Sequence, residues 1–160
     1  MARDRMVDGP AMNPLNSLSP FARQVWSALS AEYPEWTEYL GRCGEDDLEV
    51  AVPAPPRSKV GHLVIFTSDG KDLWIRFSPP RMCYALDNET EMLAIIRQLQ
   101  TESAFFVTIW EGDEWVETTL IRPDDQPELE PNQVAHVVSW SGKHDRTINA
   151  ANRLGPDTTS

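Results

Sequence analysis

The sequence predicts an α+β domain: a single, mostly antiparallel sheet of about six strands, with two helices packed on one face. Three observations predict it. Apolar residues recur at helical spacing in two places, after Ser19-Pro20 and after Asn88. Between and beyond them lie short apolar or alternating runs bounded by Pro, Gly and Asp. The connections are short, which favours antiparallel neighbours over crossovers.

The elements follow in order. Residues 1–18 carry mixed charge, Gly9, Pro10 and Pro14 without periodicity and read as a loose tail, with Met12 an alternative start. Ser19 is an N-cap with Pro20 at the first helical position, and Phe21, Val25, Trp26 and Leu29 give one apolar face. Pro34 divides this helix from a short turn carrying Trp36 and Leu40, which Gly41 and Gly44 end. Leu48, Val50 and Val52 alternate as a half-buried strand, stopped by Pro53, Pro55 and Pro56. The run from His62 to Thr67 is apolar on both faces, as in a central strand. Asp69-Gly70 is a hairpin signal, and the returning strand sends Leu73, Ile75 and Phe77 one way and Trp74 and Arg76 the other, until Pro79-Pro80.

The clearest helix runs from Asn88 to about residue 102. Asn88 and Glu91 form a capping box, and Met92, Ile95, Ile96 and Leu99 share a face. A hairpin follows over Ala104–Arg122, then an acidic loop bounded by Pro123 and Pro131. The last strand spans Val134 to Trp140, and residues 147–160 read as a polar tail behind a domain of residues 19–146.

Composition narrows the function. The chain has 160 residues, 41% hydrophobic content and six tryptophans, enough for one packed core. A formal net charge of −11 argues against a nucleic-acid binder, which needs Lys and Arg clusters, and against an anionic membrane. It suits a basic protein partner. Cys43 and Cys83 are too few for a disulfide framework or a thiolate zinc site. No run has the length of a signal-peptide core or a membrane span, so a cytoplasmic location is expected.

Chemistry is sparse. The nucleophile-elbow, P-loop, dinucleotide and zincin motifs are all missing. A small metal- or thiol-dependent enzyme would have to use His62, His136 and His144, with Asp145 near the last, or Cys83 beside Arg81. The histidines meet only if the final strand pairs beside the 62–67 strand; otherwise they are strand-end residues bonded to backbone. Cys83 as a nucleophile needs a lowered pKa, and a small buried thiol accounts for it as well. No cofactor is expected.

The strongest local feature is the acidic arm. Glu111, Asp113, Glu114 and Glu117 on the hairpin, with Asp124, Asp125, Glu128 and Glu130 on the loop, make eight acids against Arg122. Trp110 and Trp115 flank the turn. Two readings stand open: solvated surface charge with indoles that cap the core and pair with each other, or a docking face with aromatic anchors ringed by acids. A second acidic stretch, Glu32 to Glu49, broadens the negative potential. A structural homo-oligomer joined through a strand edge is a third possibility.

The segment Ser139–Asp145 reads SWSGKHD. Together with the strand, DG turn, strand, helix and strand that run from His62, it resembles a group of small bacterial α+β proteins, some of them immunity proteins encoded beside polymorphic toxins. The resemblance covers about residues 60–146. It implies a non-catalytic protein that binds and blocks a partner, a basic toxin in view of the charge. In that group the strand before the helix often ends near a histidine; here the stretch reads SPPRMCY (residues 78–84), so no shared histidine chemistry carries over.

Overall fold

Residues 14–78 and 83–150 are described by a computed structural model of the chain. The first long helix, α2 (Pro20–Glu32), starts as its sequence dictates. The Ser19 hydroxyl accepts the Ala22 N–H at 3.1 Å, and Ala22, Val25, Trp26 and Leu29 form the buried face. A helical turn, α1 (Pro14–Ser17), precedes it and leads into buried Leu18. After Pro34 the chain tightens into a 3₁₀ helix (Pro34–Tyr39), where the Tyr33 and Trp36 rings stack at 4.0 Å.

Leu40 does not continue that turn. It opens β1 (Leu40–Cys43), which pairs antiparallel with β2 (Asp47–Pro53) around Gly44, whose φ of +74° suits the tight turn. Then come β3 (His62–Ser68), β4 (Asp72–Ser78) and the three-residue β5 (Tyr84–Leu86), giving a five-stranded antiparallel sheet in chain order with β3 in the middle. Asp69 and Gly70 both adopt positive φ between β3 and β4, as the Asp-Gly signal requires. Below them Thr67, fully buried, accepts the Leu48 N–H at 3.0 Å and donates to Asp47 at 3.1 Å, so its hydroxyl is satisfied inside the sheet. The prolines expected to close β4, and Arg81 beside Cys83, lie outside the described residues, as do residues 1–13 and 151–160 of the two expected tails.

In α3 (Glu89–Gln100) the Asn88 side chain accepts the Glu91 N–H at 2.9 Å. The Glu91 carboxylate returns to the Asp87 N–H at 2.6 Å, one residue earlier than the usual box. Met92, Ile95, Ile96 and Leu99 are all buried, in one core with the α2 face and the inner side chains of the five-stranded sheet. The Arg97–Glu32 ion pair at 2.7 Å joins the two helices at the surface, where it contributes at most about 1 kcal/mol.

The expected single sheet of about six strands is corrected: the described residues form two sheets. The second, with order β7-β6-β8-β9, comprises β6 (Phe105–Glu111), β7 (Glu114–Ile121), β8 (Gln133–Val138) and β9 (Arg146–Asn149). The short edge strand β5 offers little ladder to extend, and β6 meets the first sheet through side chains instead. Phe106 sets its ring edge-on to Phe77 at 4.9 Å and 6.2 Å from Tyr84, with Leu120, Val138 and Trp140 packed against the same core. The other face of β6 builds a smaller core from Phe105, Val107, Ile109, Ile121, Ala135 and Val137. Regular structure thus runs past residues 19 and 146 on both sides. Among the described residues no helix is long and apolar enough to cross a membrane.

Phe106, 3% exposed, sits at the centre of the join between the two sheets. Phe106→Ala should lower the unfolding free energy by about 3–5 kcal/mol, read from urea denaturation, whereas an exposed control such as Thr90→Ala should change it by less than about 0.5 kcal/mol.

Candidate functional site

The acidic arm is built by the β6–β7 hairpin and the loop after it. Gly112, at φ +61°, and Asp113 make the turn. Phe105 to Ile109 pair with Ile121 to Glu117 in one register, but Trp110 then pairs with Trp115 and Glu111 with Glu114. Val116 is therefore an extra residue, a β-bulge. This decides which side chains share a face. Trp110 and Trp115 lie on the face that carries Phe106. Glu111, Glu114 and Glu117 lie on the other, with Ile109. The indoles and these three acids are back to back, so the hairpin is not an aromatic anchor ringed by carboxylates.

Each indole N–H is used within its own strand. Trp110 donates to Thr108 at 3.1 Å and is half-buried; Trp115 donates to Thr118 at 3.2 Å and is 46% exposed. Trp110 borders a shallow groove of about 490 Å³ with Val134, His136 and Asp113. Trp115 belongs to neither buried core.

The acidic loop follows from the second face of β6. Phe105, Val107 and Ile109 need a cover, and Leu129 packs on them while Pro127 is buried beside it. With the apolar residues turned in, Glu128 and Glu130 turn out, and they line a cleft of about 540 Å³ with Val116, Glu117 and Gln133. Asp124 and Asp125 sit exposed at the loop's first turn, closed by the Asp125 N–H to the Arg122 carbonyl at 3.1 Å. All eight acids are exposed. Among the described residues, none of their carboxylates lies within ion-pair distance of a cationic side chain.

The histidines are not brought together as a set. β8 pairs with β6 and β9 rather than with β3, so His136 and His62 belong to different sheets. His136 shares a 3.2 Å hydrogen bond with Thr147. His144 stacks on Phe105 at 5.2 Å and pairs with Glu102 at 3.2 Å. The Asp145 carboxylate accepts from the Ser139 N–H at 2.7 Å and the Ser139 hydroxyl at 3.0 Å, an engagement with backbone and hydroxyl that its place beside His144 does not reveal. Among the described residues no three His, Cys, Asp or Glu side chains group as metal ligands. Burial raises the Cys83 thiol above its ordinary pKa, with Arg76 opposing, which is the reverse of nucleophile activation.

The SWSGKHD segment is a built corner, and Glu102 is its missing member. Glu102 ends α3 at a positive φ of +58°. Its carboxylate accepts the Ser141 N–H at 2.7 Å and faces His144, while Gly142, at φ +79°, brings the corner against the backbone of residues 57–59. The Ser139 hydroxyl accepts the His144 N–H at 3.1 Å. Nothing in the helix pattern singles out Glu102, because its partners lie about forty residues onward. Comparison of the chain with protein-family models, curated proteins and solved structures finds no match.

Burial raises the Glu102 carboxyl, but the Ser141 hydrogen bonds and the His144 and Lys143 charges outweigh it and hold it below the ordinary 4.5. A depressed folded-state pKa stabilises the fold above the unfolded value and loses that contribution as pH falls through the folded one. Glu102→Gln should therefore lower the Tm at neutral pH, and the gap to the unaltered protein should narrow as the pH is brought below 4.5. Thermal unfolding followed by circular dichroism across that range checks it.

Proposed function

We propose that the chain is a non-catalytic, acidic binding protein that covers a basic surface of a protein partner with the hairpin tip and loop between Trp110 and Glu130. The observation that carries this reading is the set of eight exposed carboxylates, none within ion-pair distance of a cationic side chain among the described residues. Glu111 and Glu114 even stand directly opposite each other, an arrangement that costs stability in isolation. A cationic partner relieves that repulsion on binding, so the same side chains that weaken the free hairpin favour the complex. Charge of one sign over an open surface also speeds encounter with an oppositely charged protein.

Neutralisation of a basic toxin, the role that the immunity-protein resemblance implies, is one form of this activity. It stands on the acidic surface alone, since the comparisons add nothing to it. An enzyme built on His62, His136, His144 or Cys83 gains no support from their positions.

Affinity capture from cells that make the protein tests the reading. A cationic protein should be retained at low salt and released near ~0.5 M salt, where the screening length falls to a few ångströms. A variant with Glu111, Glu114, Glu117, Glu128 and Glu130 each changed to Gln should fold with equal or greater stability and lose that partner. Capture of no salt-sensitive cationic protein, or full retention by the variant, would overturn the proposal.

A further inference from the structure

Among the described residues β7 is the outer strand of its sheet, paired with β6 on one side only. An eight-residue edge is long for a strand left open, and proteins commonly blunt such edges with charge or a bulge. β7 has both, Glu114 and Glu117 as charge and Val116 as bulge. It also bears Trp115 and Val116, the two large apolar side chains that stand most exposed among the described residues, at 46% and 45%. An edge shaped only to repel would not carry them.

A cleft runs beside this edge. One wall is Trp115 to Thr118; the other is Trp74, Tyr84 and Ala85 with Cys83, from β4 and the edge strand β5 of the first sheet. It is open to solvent and encloses about 380 Å³. A row of backbone donors and acceptors therefore lies next to an aromatic cleft, the two things that an added strand uses: ladder hydrogen bonds for its backbone and a pocket for alternate side chains.

Charge selects the occupant. A second copy would bring Glu114 and Glu117 against their own counterparts, and like charges directly opposite destabilise a ladder. A basic strand fits by period two. Its lysines or arginines reach the face of Glu114 and Glu117, and the residues between them reach the face of Trp115. We infer that the β7 edge takes up an extended, basic segment of the partner, cationic and apolar residues alternating, as a further strand of the four-stranded sheet. The inference rests on the acidic-binding reading above and adds the mode of docking. Regular register resumes from Glu117 beyond the bulge, so the ladder forms there and Trp115 packs beside its end.

Two peptides of one composition separate the possibilities: one alternating lysine and valine, the other with its lysines and valines in separate blocks. Binding to the full chain at low salt is read by NMR, from amide hydrogen exchange along β7 and the Trp115 indole N–H resonance. The alternating peptide should slow exchange in β7, shift that resonance and bind about tenfold or more tightly than the block peptide. Trp115→Ala, at an exposed site outside both buried cores, should reduce the alternating peptide to the block peptide's affinity. Equal binding of both peptides with β7 exchange unchanged would overturn strand addition and leave the acidic-surface reading standing. Failure of both peptides to bind would overturn the two together.

Discussion

Burial of β6 on both faces is the constraint from which the rest of this structure follows. Phe105 through Ile109 are all buried, so the strand needs cover on each side. Phe106 obtains it from Phe77 and Tyr84 and so docks the second sheet onto the first. Phe105, Val107 and Ile109 face away from that core and would otherwise meet water. At roughly 1.5–3 kcal/mol for each fully buried apolar side chain, leaving that face open would cost a large part of a domain's net stability. Leu129 and Pro127 from the loop after β7, Ile148 from β9 and the His144 ring complete the cover. The acidic loop lies where it does because its apolar residues have a surface to bury.

That origin explains how so much negative charge is held in place without ion pairs among the described residues. Glu128 and Glu130 point outward because Leu129 between them points inward. Glu111 and Glu114 are fixed by the turn that closes the hairpin. The carboxylates are set by apolar packing and backbone register rather than by ion pairs, so their charge remains available. An ion pair with a neighbouring lysine would have positioned them equally well and cancelled the field.

Much of the helix layer was legible in the sequence and little of the sheet arrangement was. Ser19-Pro20 and Asn88 with Glu91 mark helix starts through local hydrogen bonds, and Met92, Ile95, Ile96 and Leu99 mark a face through local geometry. Strand partners are chosen by contacts between residues distant in the chain, and nothing local in β6 states that both its faces are covered. β1 shows no alternation in Leu-Gly-Arg-Cys, β5 is three residues long, and β9 is polar, so each escapes a reading by pattern. The acidic arm was legible as composition but not as geometry. In an unbroken strand Trp115 and Glu117 share a face. The bulge at Val116 puts them on opposite faces, so Glu117 joins Glu111 and Glu114 on the side away from the indoles.

The corner at Glu102 bears on whether such a surface can act as a rigid platform. Glu102 lies two residues beyond α3, whose buried face belongs to the larger core; its carboxylate holds the Ser141–His144 segment, in which the His144 ring stacks on Phe105 of the smaller one. Phe106 thus ties the four-stranded sheet to the five-stranded one, and Glu102 ties the turn after α3 to the segment between β8 and β9. A hairpin projecting from a sheet anchored once would swing, and a partner would bear the entropy of stopping it. Anchored twice, it would meet the proposed partner already ordered, and more of the gross electrostatic attraction would survive as affinity. On the proposed reading, the polar corner at Glu102 therefore serves the same docking face as the acids.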